Sequence, residues 1–194
     1  MKNGKQEKIL KAAEKVFLKK GFYPTRIEDI AERANIAKGT VYLYFPDKTS
    51  IYIALLDNHL SEAIKLLKII KKEKSSATKK MELIFDEGFE LVDHVKGMMT
   101  LVSIENINLT AELMKEIKAN IWPKIRKIID LVAEIIRDGI KQKEIRNMDP
   151  KLGALIFFSM VRASFISPIF VPELKEQSEK IKEIFFYGIK PNKK

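Results

Sequence analysis

The residues of this chain best equipped for chemistry stand together in Lys38-Gly39-Thr40-Val41-Tyr42-Leu43-Tyr44-Phe45, followed by Lys48. They are cations, hydroxyls and flat rings around a glycine, a set suited to holding a polyanion rather than to making or breaking bonds. Gly39 has no side chain, so a helix starting there can approach a ligand closely. Lys38 and Thr40 stand near the N-terminus of that helix, which itself attracts phosphate. Tyr42 and Tyr44 offer hydroxyl donors on apolar rings, suited to a phosphate or a base edge. Lys48, just past Pro46, is placed to grip a flanking backbone. The same rings would also pack a small core. Phe45 reads as core, whereas Tyr42, among polar neighbours, reads as surface.

Such residues act only if helices hold them in place. Ile9, Leu10, Ala13, Val16 and Phe17 share one face of a helix over residues 5–20, which Gly21 ends. A second helix starts after Pro24, where Thr25-Arg26-Ile27-Glu28 spells a capping box, and it buries Ile27, Ile30, Ala31 and Ala34. Asn35 occupies the sharp turn that follows, where a left-handed backbone is needed. A short helix over about 38–44 ends at Pro46, and the pair forms a helix-turn-helix. Asp47-Lys48-Thr49-Ser50 opens a long helix, and the lysine-rich stretch Lys71–Lys80 is a linker. Amphipathic helices are predicted near 78–95, 98–108, 110–120, 123–142, 149–166 and 172–187. The expected fold is all-α with about nine helices: a three-helix domain over 1–47, then 48–194, with helix 48–73 connecting.

Composition narrows the function. The 194 residues are 46% hydrophobic and carry 36 Lys+Arg against 26 Asp+Glu, a formal net charge of +10. Residues 1–50 hold 11 basic and 6 acidic groups, a surplus of five, and residues 51–194 hold 25 and 20, the same surplus over a far longer stretch. The N-terminal end is therefore the denser basic region, which points to a polyanion partner. Zero cysteines exclude disulfides, thiolate metal sites and cysteine nucleophiles. His59 and His94 have no glutamate three residues before them, so the helical di-iron spacing is missing and no metal or cofactor is expected. The polar start MKNGKQEKIL is unlike a signal peptide. Leu152–Pro172 is apolar, but Arg162 at its centre and several Ser and Pro residues make it a buried or interface helix, not a membrane span. A cytoplasmic protein is expected.

At this point the chain resembles the TetR family of transcriptional regulators. The resemblance runs over Ile9–Leu56: Ile9-Leu10-Lys11-Ala12-Ala13, Phe17, Lys20-Gly21-Phe22, Thr25, Ile30-Ala31, Ala34, Ile36, then Lys38 to Phe45 and Lys48. It implies a helical homodimer whose second helix-turn-helix helix enters the DNA major groove, with a C-terminal domain for ligand binding and dimerisation. Position by position, it makes Lys38, Gly39, Thr40 and Tyr42 recognition-helix contacts, and Thr25, Arg26, Tyr44 and Lys48 phosphate contacts. The chain departs from the pattern at Asn35, where members usually have Gly, and at Ala37, where Ser is common.

The C-terminal half has no such motif. Phe85, Phe89, Val102, Trp122, Ile125, Phe157 and Met160 are candidates to line an apolar cavity, though residues of these types also make plain core. Glu105 and Arg162 are polar groups trapped beside them. An unpaired buried charge is costly, so Arg162 must meet a carboxylate, a helix C-terminus or a ligand anion. Facing a cavity, Arg162 would suit an acidic amphiphile and Glu105 a cationic one. The last two helices are apolar over more than one face and need covering; the resemblance implies that a second copy covers them. The reading is a regulator, usually a repressor, that binds a palindromic operator in double-stranded DNA as a homodimer. A small hydrophobic or amphiphilic effector releases it. The alternative is a helical small-molecule carrier with no DNA role. No nucleophile–base pair argues for an enzyme.

Overall fold

The computed structural model of the chain describes residues 2–93, 111–170 and 178–190. Among them there is no strand. The helices are α1 (Lys2–Lys20), α2 (Ile27–Arg33), α3 (Lys38–Tyr42), α4 (Lys48–Lys72), α5 (Ala77–Asp93), α6 (Ala111–Glu116), α7 (Trp122–Lys141), α8 (Pro150–Phe170) and α9 (Ser178–Ile189). A π-helical turn at Ile117–Ile121 joins α6 to α7. The helix expected near 98–108 lies outside the described residues. None of the described helices is long and apolar enough to cross a membrane.

Two compact units result. Within the described residues, the first holds 2–61 and 111–123, and the second holds 62–93, 124–170 and 178–190. In the first, α1 buries Ile9, Leu10, Ala12, Ala13, Val16 and Phe17, the expected stripe. Gly21 ends α1 in the left-handed region (φ 81°) that glycine enters without strain. Asn35 does the same after α2 (φ 49°), as its sequence position suggests. There Ile36 N–H donates to the Ala31 carbonyl at 3.0 Å and Asn35 N–H to Glu32 at 2.9 Å, the paired bonds that close a helix end. Asp47 caps α4, its carboxylate accepting from Ser50 N–H at 2.6 Å.

The start of α2 departs from expectation. Arg26, not Thr25, is its N-cap, and Asp29 rather than Glu28 reaches back, accepting from Arg26 N–H at 2.9 Å. The Thr25 hydroxyl instead donates to the Gly21 carbonyl at 2.5 Å, which draws its side chain inward and shifts the helix start by one residue. Arginine has no side-chain acceptor, so only the return arm of a capping box forms.

A second departure concerns residues 111–141. The separate helices expected at 110–120 and 123–142 form one helical run through the π turn. Pro123 lacks an N–H and its ring crowds the carbonyl four residues back, at Ala119 inside the π turn; the wider turn takes up that crowding without a break. The turn also puts Ile117 and Ile121 into the same apolar cluster as Ile9, Phe17, Val41 and Ile51. The first unit is therefore completed by residues far along the chain.

In the second unit, Ser76 and Glu144 serve the start of α5: Ser76 Oγ accepts from Lys79 N–H at 3.1 Å and the Glu144 carboxylate from Ala77 N–H at 2.6 Å. Gly139 lets helices meet closely, because a Cβ there would lie 2.6 Å from Ala77 Cβ. α7 buries Ile128, Leu131, Val132, Ala133, Ile135 and Ile136. Asp149 caps α8 through Leu152 N–H at 2.8 Å. α8 continues to Phe170 instead of ending near 166.

Ile121 is 2% exposed, so Ile121→Ala should destabilise the protein by about 2–5 kcal/mol. Urea denaturation would read this as a lower midpoint, and hydrogen exchange as reduced protection in α1. Lys118→Ala, at an exposed site on the same turn, should leave both unchanged.

Candidate nucleic-acid interface

α3 has only five residues, and Val41 and Phe45 anchor it (0% and 4% exposed). Its outward side carries Lys38, Gly39 and Tyr42, all exposed, with Thr40 at its margin. Lys38 and Tyr42 lie one turn apart, the ammonium 5.7 Å from the ring centroid. Lys38 also pairs with Glu28 of α2 at 2.5 Å. The hydrogen bond from Lys38 and its charge hold the Glu28 carboxyl below its ordinary value and raise Lys38 in turn. Arg26 is exposed at the start of α2, beside this pair in sequence. Tyr44 is half-buried, packed against the core of the first unit. Ala37, the N-cap of α3, supplies no side-chain acceptor.

Two residues of the expected contact set turn inward. Thr25 is 2% exposed, its hydroxyl committed to Gly21. The Lys48 ammonium donates to three carbonyls, Phe22 at 2.7 Å, Tyr23 at 2.9 Å and Thr25 at 2.8 Å, and lies 4.5 Å from the Phe22 ring centroid. An ammonium has three protons, and all three are used. Burial pushes Lys48 below the ordinary lysine value, and the three acceptors offset the cost of that burial. Lys48 thus ties the start of α4 to the α1–α2 connection. Its position beside a basic motif reads as a phosphate contact; only the fold shows that its donors point into the protein.

In the second unit, Phe85 (1% exposed) meets Phe157 at 6.2 Å between ring centroids, and Phe157 meets Phe185 at 5.1 Å. Met160, half-buried, lies on the same helix as Phe157. Trp122 belongs to the first unit and is 40% exposed, with the Lys118 ammonium 5.8 Å from its ring centroid, whereas the phenylalanine cluster belongs to the second. Phe89 lies on α5 and Arg162 on α8, with side chains outside the described set; Val102 and Glu105 lie outside the described residues altogether. Among the described residues no three His, Asp or Glu side chains gather as a metal site.

Residues 9–55, which contain all of α2 and α3 and most of the core that anchors them, match the family described as bacterial regulatory proteins, tetR family. The chain carries the TetR-family DNA-binding domain over those residues. It is a DNA-binding transcriptional regulator with an N-terminal helix-turn-helix and a C-terminal helical domain. Similarity to other TetR-family proteins extends beyond the N-terminal motif. The fatty acid metabolism regulator protein of Bacillus subtilis is 28% identical over 163 residues, covering 82% of this chain and 81% of that protein. The crystal structure of FadR from Bacillus subtilis in complex with stearoyl-CoA superposes with a TM-score of 0.74 at 24% identity, over 94% of this chain and 98% of that one. A SmeT–triclosan complex superposes with a TM-score of 0.70 at 21% identity, over 96% and 92% of the two chains.

Lys48→Met keeps the aliphatic stem but strands three carbonyls, and should cost about 1–3 kcal/mol of stability. If Lys48 positions the motif and does not touch phosphate, the slope of log affinity against log salt should stay as in the wild type. Arg26→Ala should instead reduce that slope by about one for each copy of the chain bound to the DNA. Urea melts and DNA anisotropy across a salt series measure the two effects.

Proposed function

We propose that this TetR-family regulator binds a palindromic operator as a homodimer and is released by an apolar, anionic amphiphile of the long-chain acyl type. The single observation that carries the DNA reading is the outward face of α3, where Lys38, Gly39 and Tyr42 stand clear of the core on a rigid, buried back. In this reading Lys38, Gly39, Thr40 and Tyr42 face the major groove and Arg26 and Tyr44 the phosphates, while Thr25 and Lys48 hold the motif in shape. The N-terminal region does the DNA work and the remainder takes the effector and the partner copy.

The acyl reading is supported by two similar proteins: a fatty acid metabolism regulator, and a FadR that holds stearoyl-CoA. The buried phenylalanines of the second unit, Phe85, Phe157 and Phe185, supply an apolar environment of the right kind. Release acts by favouring a dimer whose two α3 helices are wrongly spaced for the operator, and that requires the effector to bind the two states with different affinity. The dimer reading rests on apolar residues left open on α8 and α9: Leu152, Leu155 and Ile156 are 56%, 49% and 45% exposed, and Ile184 and Tyr187 are 63% and 81% exposed. A second copy covers them, and its two-fold axis sets half-sites about one helical turn or somewhat more apart.

Fluorescence anisotropy with duplexes selected from genomic fragments should show specific binding that falls steeply with salt. Stearoyl-CoA should release the duplex at concentrations where a short acyl-CoA of the same charge does not. Absence of salt-sensitive specific binding overturns the DNA reading. Specific binding that ignores every acyl-CoA and free fatty acid overturns the effector class alone.

Ile156→Glu places a charge in the proposed dimer face. By analytical ultracentrifugation this variant should sediment as a monomer at concentrations where the wild type is a dimer, and it should bind the full palindrome no better than a half-site. An unchanged sedimentation profile would remove α8 from the interface.

A further inference from the structure

α3 divides sharply into two sides. At about 100° per residue, Val41 and Phe45 fall together on the buried side, and Lys38, Tyr42, Gly39 and Leu43 follow one another around the outward side. Gly39 sits near the middle of that side, and nothing lies within 4 Å of where its Cβ would be. Lys38 and Tyr42 flank the notch on one edge. Leu43 flanks it on the other, one turn after Gly39, its N–H donating to the Gly39 carbonyl at 3.2 Å. Leu43 is 83% exposed, the most open large apolar side chain among the described residues.

A single exposed leucine usually means little. This one, however, has no place in the core of its unit, while Val41 and Phe45 on the same short segment are buried within it. It stands on the side of the helix that carries Lys38 and Tyr42, next to a glycine that leaves room for a base pair to come near. In the major groove, the apolar feature that sets one base pair apart from the others is the C5-methyl group of thymine. We propose that Leu43 is a specificity-determining residue that reads a thymine methyl in each half-site, with the Gly39 notch giving the base edge clearance. The inference rests on the DNA-binding reading above and deepens it, since it names what one side chain discriminates.

The test removes the methyl group and nothing else. Duplexes are selected by the wild-type protein from a random-sequence pool, and each thymine of the consensus is replaced in turn by deoxyuridine. At one symmetry-related position the wild type should lose about three- to fivefold in affinity, the worth of one buried methyl group. Leu43→Ala removes the contact from both half-sites, so it should bind the parent duplex about nine- to twenty-five-fold more weakly and show no further loss at that position, while its response to every other deoxyuridine matches the wild type. The side chain is exposed, so the variant folds, and an unchanged thermal melt confirms it. Wild-type binding that ignores every deoxyuridine, or a Leu43→Ala variant that still loses affinity at the same position, overturns the role of Leu43 and leaves DNA binding intact. Failure to select any salt-sensitive duplex overturns both.

Discussion

A five-residue helix cannot hold itself together. Its nucleus costs more conformational entropy than its few internal hydrogen bonds return, and isolated helices below about 12–15 residues are marginal in water. α3 is such a helix, and every neighbouring element supplies part of what it lacks. Val41 and Phe45 insert into the core made by α1, α2 and the start of α4. The Asn35 turn fixes the angle at which the chain arrives, and Asp47 fixes where α4 begins. Behind these, the Lys48 ammonium binds three carbonyls of the α1–α2 connection and keeps α4 from sliding against α1. Rigidity of the reading surface is therefore borrowed, and most of it comes from residues that need not touch DNA.

The same dependence decides what could be read in the sequence. Apolar spacing marks the buried faces of α1 and α2, because a helix that packs on one side shows its period directly. Gly21, Asn35, Asp47 and Asp149 are legible for a local reason, since each meets a backbone need within a few residues. The start of α2 is less so. Thr25-x-x-Glu28 and Arg26-x-x-Asp29 are overlapping signals one residue apart, and the choice turns on whether the Thr25 hydroxyl finds the Gly21 carbonyl. Lys48 is a harder case: a lysine beside a basic motif looks the same in sequence whether it faces a phosphate or three carbonyls. Leu43 carried a signal that spacing alone contains, its place one turn from Gly39 and away from Val41, but an apolar residue on a short helix is read as core by default.

Ile117 and Ile121 were out of reach for another reason. Their partners in the first unit lie some 60–110 positions away, and no local pattern distinguishes a residue that completes one core from a residue that completes another. A π turn adds to this, because it changes which residues share a face without leaving a composition of its own. In the second unit the limit is chemical. Phenylalanines at helical spacing make a core whether or not a ligand joins them, and Phe157 is fully buried beside Phe85 and Phe185. What remains specific there is the uncovered apolar surface of α8 and α9, which a packed monomer has no use for.

The charge surplus also changes meaning once the pairs are known. In the first 50 residues, beside the Lys11–Glu7 pair within α1 at 2.9 Å, two basic groups already have acidic partners on α2, Lys20 with Asp29 at 2.6 Å and Lys38 with Glu28 at 2.5 Å. Both acids sit in the first turn of α2, where the helix dipole favours them. Without DNA, these carboxylates act as built-in counterions for lysines near the reading surface. In the proposed complex, a DNA group arriving at Lys38 displaces Glu28, so part of the attraction is exchange of one acceptor for another and not a new neutralisation. Salt in solution competes with both anions alike. In that proposed complex, counting cations overstates how steeply binding responds to salt, because the Lys38–Glu28 pair is already formed before DNA arrives.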